Sequence, residues 1–425
     1  MSLYGAMFSG VSGLNAQSQA LGMISDNISN VNTVGYKTTK ASFSTLVTRQ
    51  ALASFYSPGG VRSSPVSMVD RQGLLQASSN ATDLAISGQG FFVVTDTNAP
   101  TGNDTRSYTR AGQFITDSEG YLQTPSGFYL NGWATDASGT PTATNTSVLA
   151  SLEPVRVNSV SGSATASTAI EIGANLPASA AGGAVETTNV QIFDSLGVSH
   201  DVTFTWTKAA ANNWTLTAAA TGVGTVEEGA VGSTVPYSVT VLFNSDGTPA
   251  SFDGAATPPT LSLSALTSSA ANMTLTLDLG TQNTADGMTQ FSSTYSTAFV
   301  NQDGVQFGNF YGVSVDDDGI VTALYDNGET LKIYKLPVAT FPNPNGLDGQ
   351  SGTVFNQSEK SGDYFLRAAG EANAGTIAPS SLEASTSDLA NEFTNMIITQ
   401  RAYAASTKII TTADEMLDEL IRVKR

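Results

Sequence analysis

Three carboxylates stand together at Asp316-Asp317-Asp318-Gly319, and clustered carboxylates at a turn are the ligands that hard divalent cations select. The run lacks the alternating spacing of a calcium loop and the distal glutamate that closes one, so it reads as the turn of a solvated hairpin. His200 is the one histidine, placed between two strand-like runs, where a structural hydrogen bond accounts for it. GVGTVEEG from Gly222 does not complete a dinucleotide fingerprint, and no glycine loop is followed by a phosphate-binding lysine. The acidic residues could furnish a glycosidase pair in principle, yet no spacing singles one out. The absence of cysteine removes thiol nucleophiles, thiolate metal sites and disulfides together. The expectation is a protein with no catalytic residue, no metal site and no cofactor.

The chain that would have to position any such chemistry is built for something else. It has 425 residues, enough for two or three domains, with 13% charged residues, 40% hydrophobic residues and 40 glycines. Abundant Gly, Ser, Thr, Asn and Ala suit short strands and turns, so mainly β structure is expected. The formal net charge is −18, and Lys208 is the only Lys or Arg between Val157 and Leu331. Nucleic acids and anionic membranes are therefore poor partners, because both require cations in the protein. No Lys or Arg precedes Lys37 and no long apolar run develops, so neither a cleaved secretory signal nor a membrane span is expected.

The two ends carry a period of seven. Met7, Leu14, Leu21 and Ile28 fall at heptad intervals, with Val11, Ile24 and Val31 between them. At the other end Leu389, Met396, Tyr403, Ile410 and Leu417 repeat the spacing, with Phe393 and Ile421 four residues after members of the series. Residues 1–36 hold a single charged side chain, Asp26, and Gly5, Gly10, Gly13 and Gly22 each cost a helix about 1 kcal/mol relative to alanine. The second helix is stronger, with capping candidates among Ser380 to Ser387 and Arg422, Lys424 and Arg425 at the end favoured by the dipole. An apolar stripe at helical spacing is ordinarily a core face. A nearly uncharged helix with a sticky outer face instead favours burial by further copies of the chain. The expected self-assembly seam is Met7, Val11, Leu14, Leu21, Ile28, Leu389, Phe393, Met396, Tyr403, Ile410, Leu417 and Ile421.

Between the ends the period drops to two. VQIFDSLGVSHDVTFTWT, NNWTLTAAA, YSVTVLF, TLSLSAL and MTLTLDL read as strands, and Asp318-Gly319 and Asn327-Gly328 as hairpin turns. The expected fold is a terminal α-helical coiled-coil domain formed by both chain ends plus two nested mainly-β domains. Its parts are residues 1–36 with 382–425, connecting segments 37–70 and 361–381, an outer β domain of 71–149 with 287–360, and an inserted β domain at 150–286.

SGLNAQSQAL, DNISNVNTVGYK, GQGFFVV, YTRAGQF, FPNPNGL and LANEFTNMIITQRAYAASTKIITTADEML, in this order, resemble the bacterial flagellar axial family of rod and hook subunits, and hook subunits most closely. The resemblance covers both termini and the outer β domain, and the inserted segment matches loosely. It implies a structural subunit exported by the flagellar type III apparatus without a cleaved signal. Such subunits polymerise into a curved, flexible tube outside the cell that links rod to filament and transmits torque. The partners implied are other copies of the chain together with rod, hook cap and hook–filament junction proteins. Ile28 and Val31 would then face the C-terminal helix and neighbouring subunits. The alternatives are another axial protein, of the distal rod or the junction, or a β-rich surface adhesin, which would not need heptads at both ends. The size of the inserted segment favours hook over rod.

Overall fold

The computed structural model describes residues 3–46, 59–100, 105–158, 162–229, 232–233 and 235–423. Two helices bracket a mainly-β chain: α1, Leu3–Ser29, and α2, Leu389–Val423. Contacts divide the chain into two compact units, one of Met1–Ser159, Val313–Ala323 and Leu331–Arg425, the other of Val160–Gly312 and Leu324–Thr330.

The first unit contains both helices. Its central strands lie in the order Tyr129–Ala134, Phe92–Thr95, Ser107–Thr109, Val354–Asn356 and Asp348–Gln350, every neighbour antiparallel. Phe91, Val93, Tyr108, Trp133, Phe341 and Phe355 form a core beside them. Tyr108 meets Phe341 edge-on at 4.8 Å between ring centres, the geometry that the aromatic quadrupole favours. Early and late segments are stitched together by short pairs: Leu84–Ser87 with Thr376–Pro379, and Leu75–Ala77 with Ser381–Glu383.

The second unit has two five-stranded sheets. One runs Thr225–Glu228, Leu261–Ser264, Met273–Asp278, Ala169–Asn175, Ser296–Gln302; the other runs Val185–Phe193, Ser199–Ala210, Asn213–Ala220, Ser238–Phe243, Pro249–Phe252. Alternation decides what faces inward, as in Met273–Asp278, where every second side chain is buried. Phe204, Trp206, Trp214, Leu216, Phe252 and Leu275 from both sheets make one sealed core.

The structure corrects several expectations. Residues 37–70 are not merely a connector: Thr39–Thr45 and Val61–Ser67 form an antiparallel hairpin, which its Ser-rich, polar-faced sequence conceals. Residues 361–381 likewise contain Phe365–Ala368 and Thr376–Pro379, both paired. The second unit extends past residue 286, because Ser296–Gln302 is an edge strand on Ala169–Asn175. His200 lies within a strand rather than between two, its Nε2 2.9 Å from Asp194 Oδ2. The α2 cap is Asp388, whose Oδ1 accepts the amides of Ala390 and Asn391 at 2.9 and 3.3 Å, and none of Ser380 to Ser387 takes that position. Asp316 to Gly319, by contrast, is a turn as expected, closed by Asp316 Oδ1 accepting the Ile320 amide at 2.7 Å. Residues 47–58 of the expected connector, with Lys424 and Arg425, lie outside the described residues.

Candidate functional site

The paired helices run antiparallel, and their register shows in three contacts. A Cβ added to Gly10 would lie 3.0 Å from Ile410 Cγ1, one added to Gly13 would lie 3.0 Å from Ser406 Oγ, and Asn27 Nδ2 donates to Glu392 Oε1 at 3.3 Å. Buried or half-buried along this line are Gly10, Gly13, Ala20, Ile24 and Asn27 on α1 and Glu392, Thr399, Ser406 and Ala413 on α2. Those α2 residues are also seven apart, so a heptad of small and polar side chains, offset from the apolar one, makes the contact. Small side chains let the backbones approach closely, which is what Gly10 and Gly13 are for. The exposed Gly22, with nothing within 4 Å of its added Cβ, has no such part.

The twelve expected seam residues sit beside this line. Met7, Leu14, Leu21, Ile28, Met396, Ile410 and Leu417 are half-buried, and Val11, Leu389, Phe393, Tyr403 and Ile421 are exposed. Ile410 touches α1 at Gly10, whereas large apolar side chains on both helices remain open to water: Tyr4, Phe8 and Val11 on α1, and Phe393, Ile397, Ile398, Tyr403, Ile409 and Met416 on α2. Exposed apolar surface of this extent marks an interaction site.

Where α1 ends, polar groups take over. Asn27, 1% exposed, donates to Thr39 O at 2.9 Å, and its Oδ1 accepts the Thr39 amide at 3.0 Å and the Tyr36 hydroxyl at 3.1 Å. One side chain thus fixes α1, the hairpin and, through Glu392, α2. Next to it α1, the hairpin and α2 enclose an open cleft of ≈ 380 Å³ lined by Ala20, Met23, Ile24, Phe43, Ile398 and Ala402 among others.

Sequence reasoning missed a buried ionic triad. Glu383, with no exposed surface, accepts from Lys37 Nζ through Oε1 and from Arg110 Nη1 through Oε2 at 3.1 Å, while the Gly73 amide donates to Oε1 at 2.7 Å. Arg110 also donates to Gly88 O at 2.8 Å, and Lys37 to Arg71 O. Burial depresses the pKa of both the Lys37 ammonium and the Arg110 guanidinium, and the Glu383 charge opposes that depression. The triad ties the segment after α1 to the segment before α2. One signal was available: Lys37 is the first cation of the chain, closing an almost uncharged stretch. Gly35 belongs to the same turn, at φ +69° with its added Cβ only 2.6 Å from the Ala111 nitrogen, so no other residue fits there. Among the described residues no three His, Cys, Asp or Glu side chains gather as metal ligands.

Known families match the chain in four segments. Residues 7–37 match the family described as "Flagella basal body rod protein", 85–192 the "Flagellar hook protein FlgE/F/G D1 domain", 159–305 the "Flagellar basal body protein FlaE D2 domain", and 378–423 the "Flagellar basal body rod FlgEFG protein C-terminal". The chain is 36% identical over 435 residues to the flagellar hook protein FlgE of Rhizobium meliloti and 31% identical over 593 residues to that of Caulobacter vibrioides, each alignment covering 100% of both chains. It is 29% identical over 441 residues to that of Escherichia coli, covering 97% of this chain and 98% of the other. These matches run from end to end, and the chain belongs to the flagellar hook protein FlgE family.

Proposed function

We propose that this chain is a structural subunit of the bacterial flagellar hook, assembling with copies of itself into a flexible curved helical tube that carries torque from rod to filament. In this reading the protein is not an enzyme, and the tube stands outside the cell. It meets rod, hook cap and hook–filament junction proteins at its ends, and its subunits leave through the flagellar type III export apparatus. The observation that carries the reading is the open apolar surface of the helix pair in a chain that matches hook proteins along its full length. Hydrophobic side chains left in water on two helices that already touch are the natural interface for further copies.

The twelve seam residues act in this reading between subunits, as a coiled-coil-like layer of residues 1–36 and 382–425, with 71–149 and 287–360 as an outer domain around the inserted β domain. Met396→Asp tests it. The half-buried site tolerates an aspartate in the monomer with a loss of about 1 kcal/mol, but in an assembled layer the charge is desolvated at a cost of several kcal/mol. Cells carrying only this variant should make no hooks visible by electron microscopy of sheared appendages, although the protein folds. Hooks of normal length and number would defeat the proposal.

A further inference from the structure

The helix pair has a protrusion at one end and a recess at the other. Tyr4, Phe8 and Val11 follow one another at helical spacing on α1, and Tyr4 and Phe8 are 75% and 61% exposed. The recess is the cleft of ≈ 380 Å³ between α1, the Thr39–Thr45 strand and α2, where Met23, Ile24, Phe43, Ile398 and Ala402 present apolar surface among polar residues that include Lys40 and Glu392. From Phe8 to Ile24 is about 24 Å along the helix at 1.5 Å per residue, so a molecule cannot fill its own recess.

Resting on the hook-subunit reading, we propose that the Tyr4–Phe8–Val11 face of one copy seats in this cleft of the next. Two observations choose a second copy as the occupant. The chain carries a formal charge of −18, so most approaches between copies are repulsive, yet α1 itself has no charged residue before Asp26, and the cleft offers Lys40 to the acidic residues Asp414, Glu415, Asp418 and Glu419 of the α2 end that accompanies it. Protrusion and recess also lie on different parts of one rigid helix. Joining them is therefore a heterologous contact that repeats from copy to copy instead of closing as a two-fold dimer. The hairpin gains a definite part: Phe43, half exposed and the one large apolar side chain of its strand, forms a wall of the recess.

The chain has no cysteine, which makes the test direct. Phe8→Cys subunits and Phe43→Cys subunits are mixed, polymerised and treated with a mild oxidant. Non-reducing gels should show a disulfide-linked dimer joining one variant to the other, and the chain carrying both substitutions should give a ladder of covalent multimers. Phe8→Cys alone should give no dimer, and a dimer of that single variant would mark a two-fold contact and overturn the proposal. As a second measurement that does not depend on cysteine, Phe8→Ala and Phe43→Ala should each raise the critical concentration for polymerisation about tenfold. The double variant should show less than the product of the two changes, since both remove one contact. Wild-type protein that never polymerises would remove the hook reading and this contact together. Polymers that form normally from both alanine variants, with no disulfide between the two cysteine variants, would remove the contact alone.

Discussion

Trp206, Trp214, Phe204 and Phe252 are shut inside the two-sheet unit without exposed surface, whereas Phe8, Phe393, Ile398 and Tyr403 on the helix pair are between 41% and 61% exposed. The same class of side chain completes a core in one region and is left unfinished in the other. In the two-sheet unit, strand alternation supplies enough inward positions for a closed interior. In the helix pair, the contact line is mostly glycine, alanine, serine, threonine and an Asn27–Glu392 pair, with Ile24 and Ile410 reaching it, so most of the other large side chains are displaced to the flanks. The first region is therefore closed by its own side chains, while the second leaves apolar surface that its own chain does not cover.

The largest change that bears on this contrast is Trp206→Ala. Trp206 is fully buried, and its Nε1 donates to Thr188 Oγ1 at 3.3 Å. Its loss should cost about 3–5 kcal/mol, read as a lowered denaturation midpoint of the two-sheet unit. The helix pair should remain competent to assemble at temperatures where that unit is still folded. Glu383→Gln acts on the other region with a similar magnitude, about 3–5 kcal/mol, because it leaves Lys37 and Arg110 buried without their carboxylate. Hydrogen exchange should then show earlier opening of residues 30–38 and 376–388, with the two-sheet unit unmoved. A loss spread evenly over both units would mean that they are not independent.

Acid should separate them as well. Hydrogen bonds hold the Glu227, Asp246 and Asp286 carboxyls below their ordinary values. At Asp194 and Asp303 burial opposes ionisation, but bonds from Ser268 and His200, and from Thr168 and Ala169, outweigh it. All five belong to the two-sheet unit, and Asp136 alone is similarly lowered in the other unit among the described residues. A carboxyl with a depressed folded pKa binds fewer protons folded than unfolded. Its contribution is therefore full above the unfolded pKa of about 4 and is lost as pH falls through the folded value. The two-sheet unit should thus lose midpoint more steeply than the helix-bearing unit as pH falls below about 4, followed by tryptophan fluorescence of Trp206 and Trp214 in the first and of Trp133 in the second. Parallel losses would break the contrast.

How much of this could be read from the sequence follows from the same chemistry. The sealed strands were legible because alternation is written in large apolar residues, as in MTLTLDL. The helices were legible through their heptads, but their contact line was not. Periodicity is recognised by large apolar side chains, and here, Ile24 and Ile410 aside, the touching residues are small or polar. On α1 Gly13, Ala20 and Asn27 each stand just before a member of the apolar series, and on α2 Glu392, Thr399, Ser406 and Ala413 fall between its members. The Thr39–Thr45 hairpin and the Ser296–Gln302 edge strand went unseen because they are polar or exposed and carry no inward row. The triad unites residues more than 270 positions apart, which no local pattern records.

The smallest effect concerns how α2 begins. Asp388 accepts the Ala390 and Asn391 amides through Oδ1, and its Oδ2 accepts from Asn391 Nδ2 at 3.0 Å. Its charge also faces the positive end of the helix dipole. Asp388→Ala should therefore cost about 1 kcal/mol, within the usual range for losing a cap, and Asp388→Ser should recover most of it. Because the cap lies only four residues before Glu392, whose Oε1 accepts from Asn27, fraying should spread to the α1 contact and no further. Amide exchange should quicken at Ala390 to Phe393 and at Asn27, while Ser406 and Ala413, further along the same line, keep their protection. Faster exchange along all of α2 would show that the helix pair opens as one piece, and would tie its order to a single end instead of to the whole line of small residues.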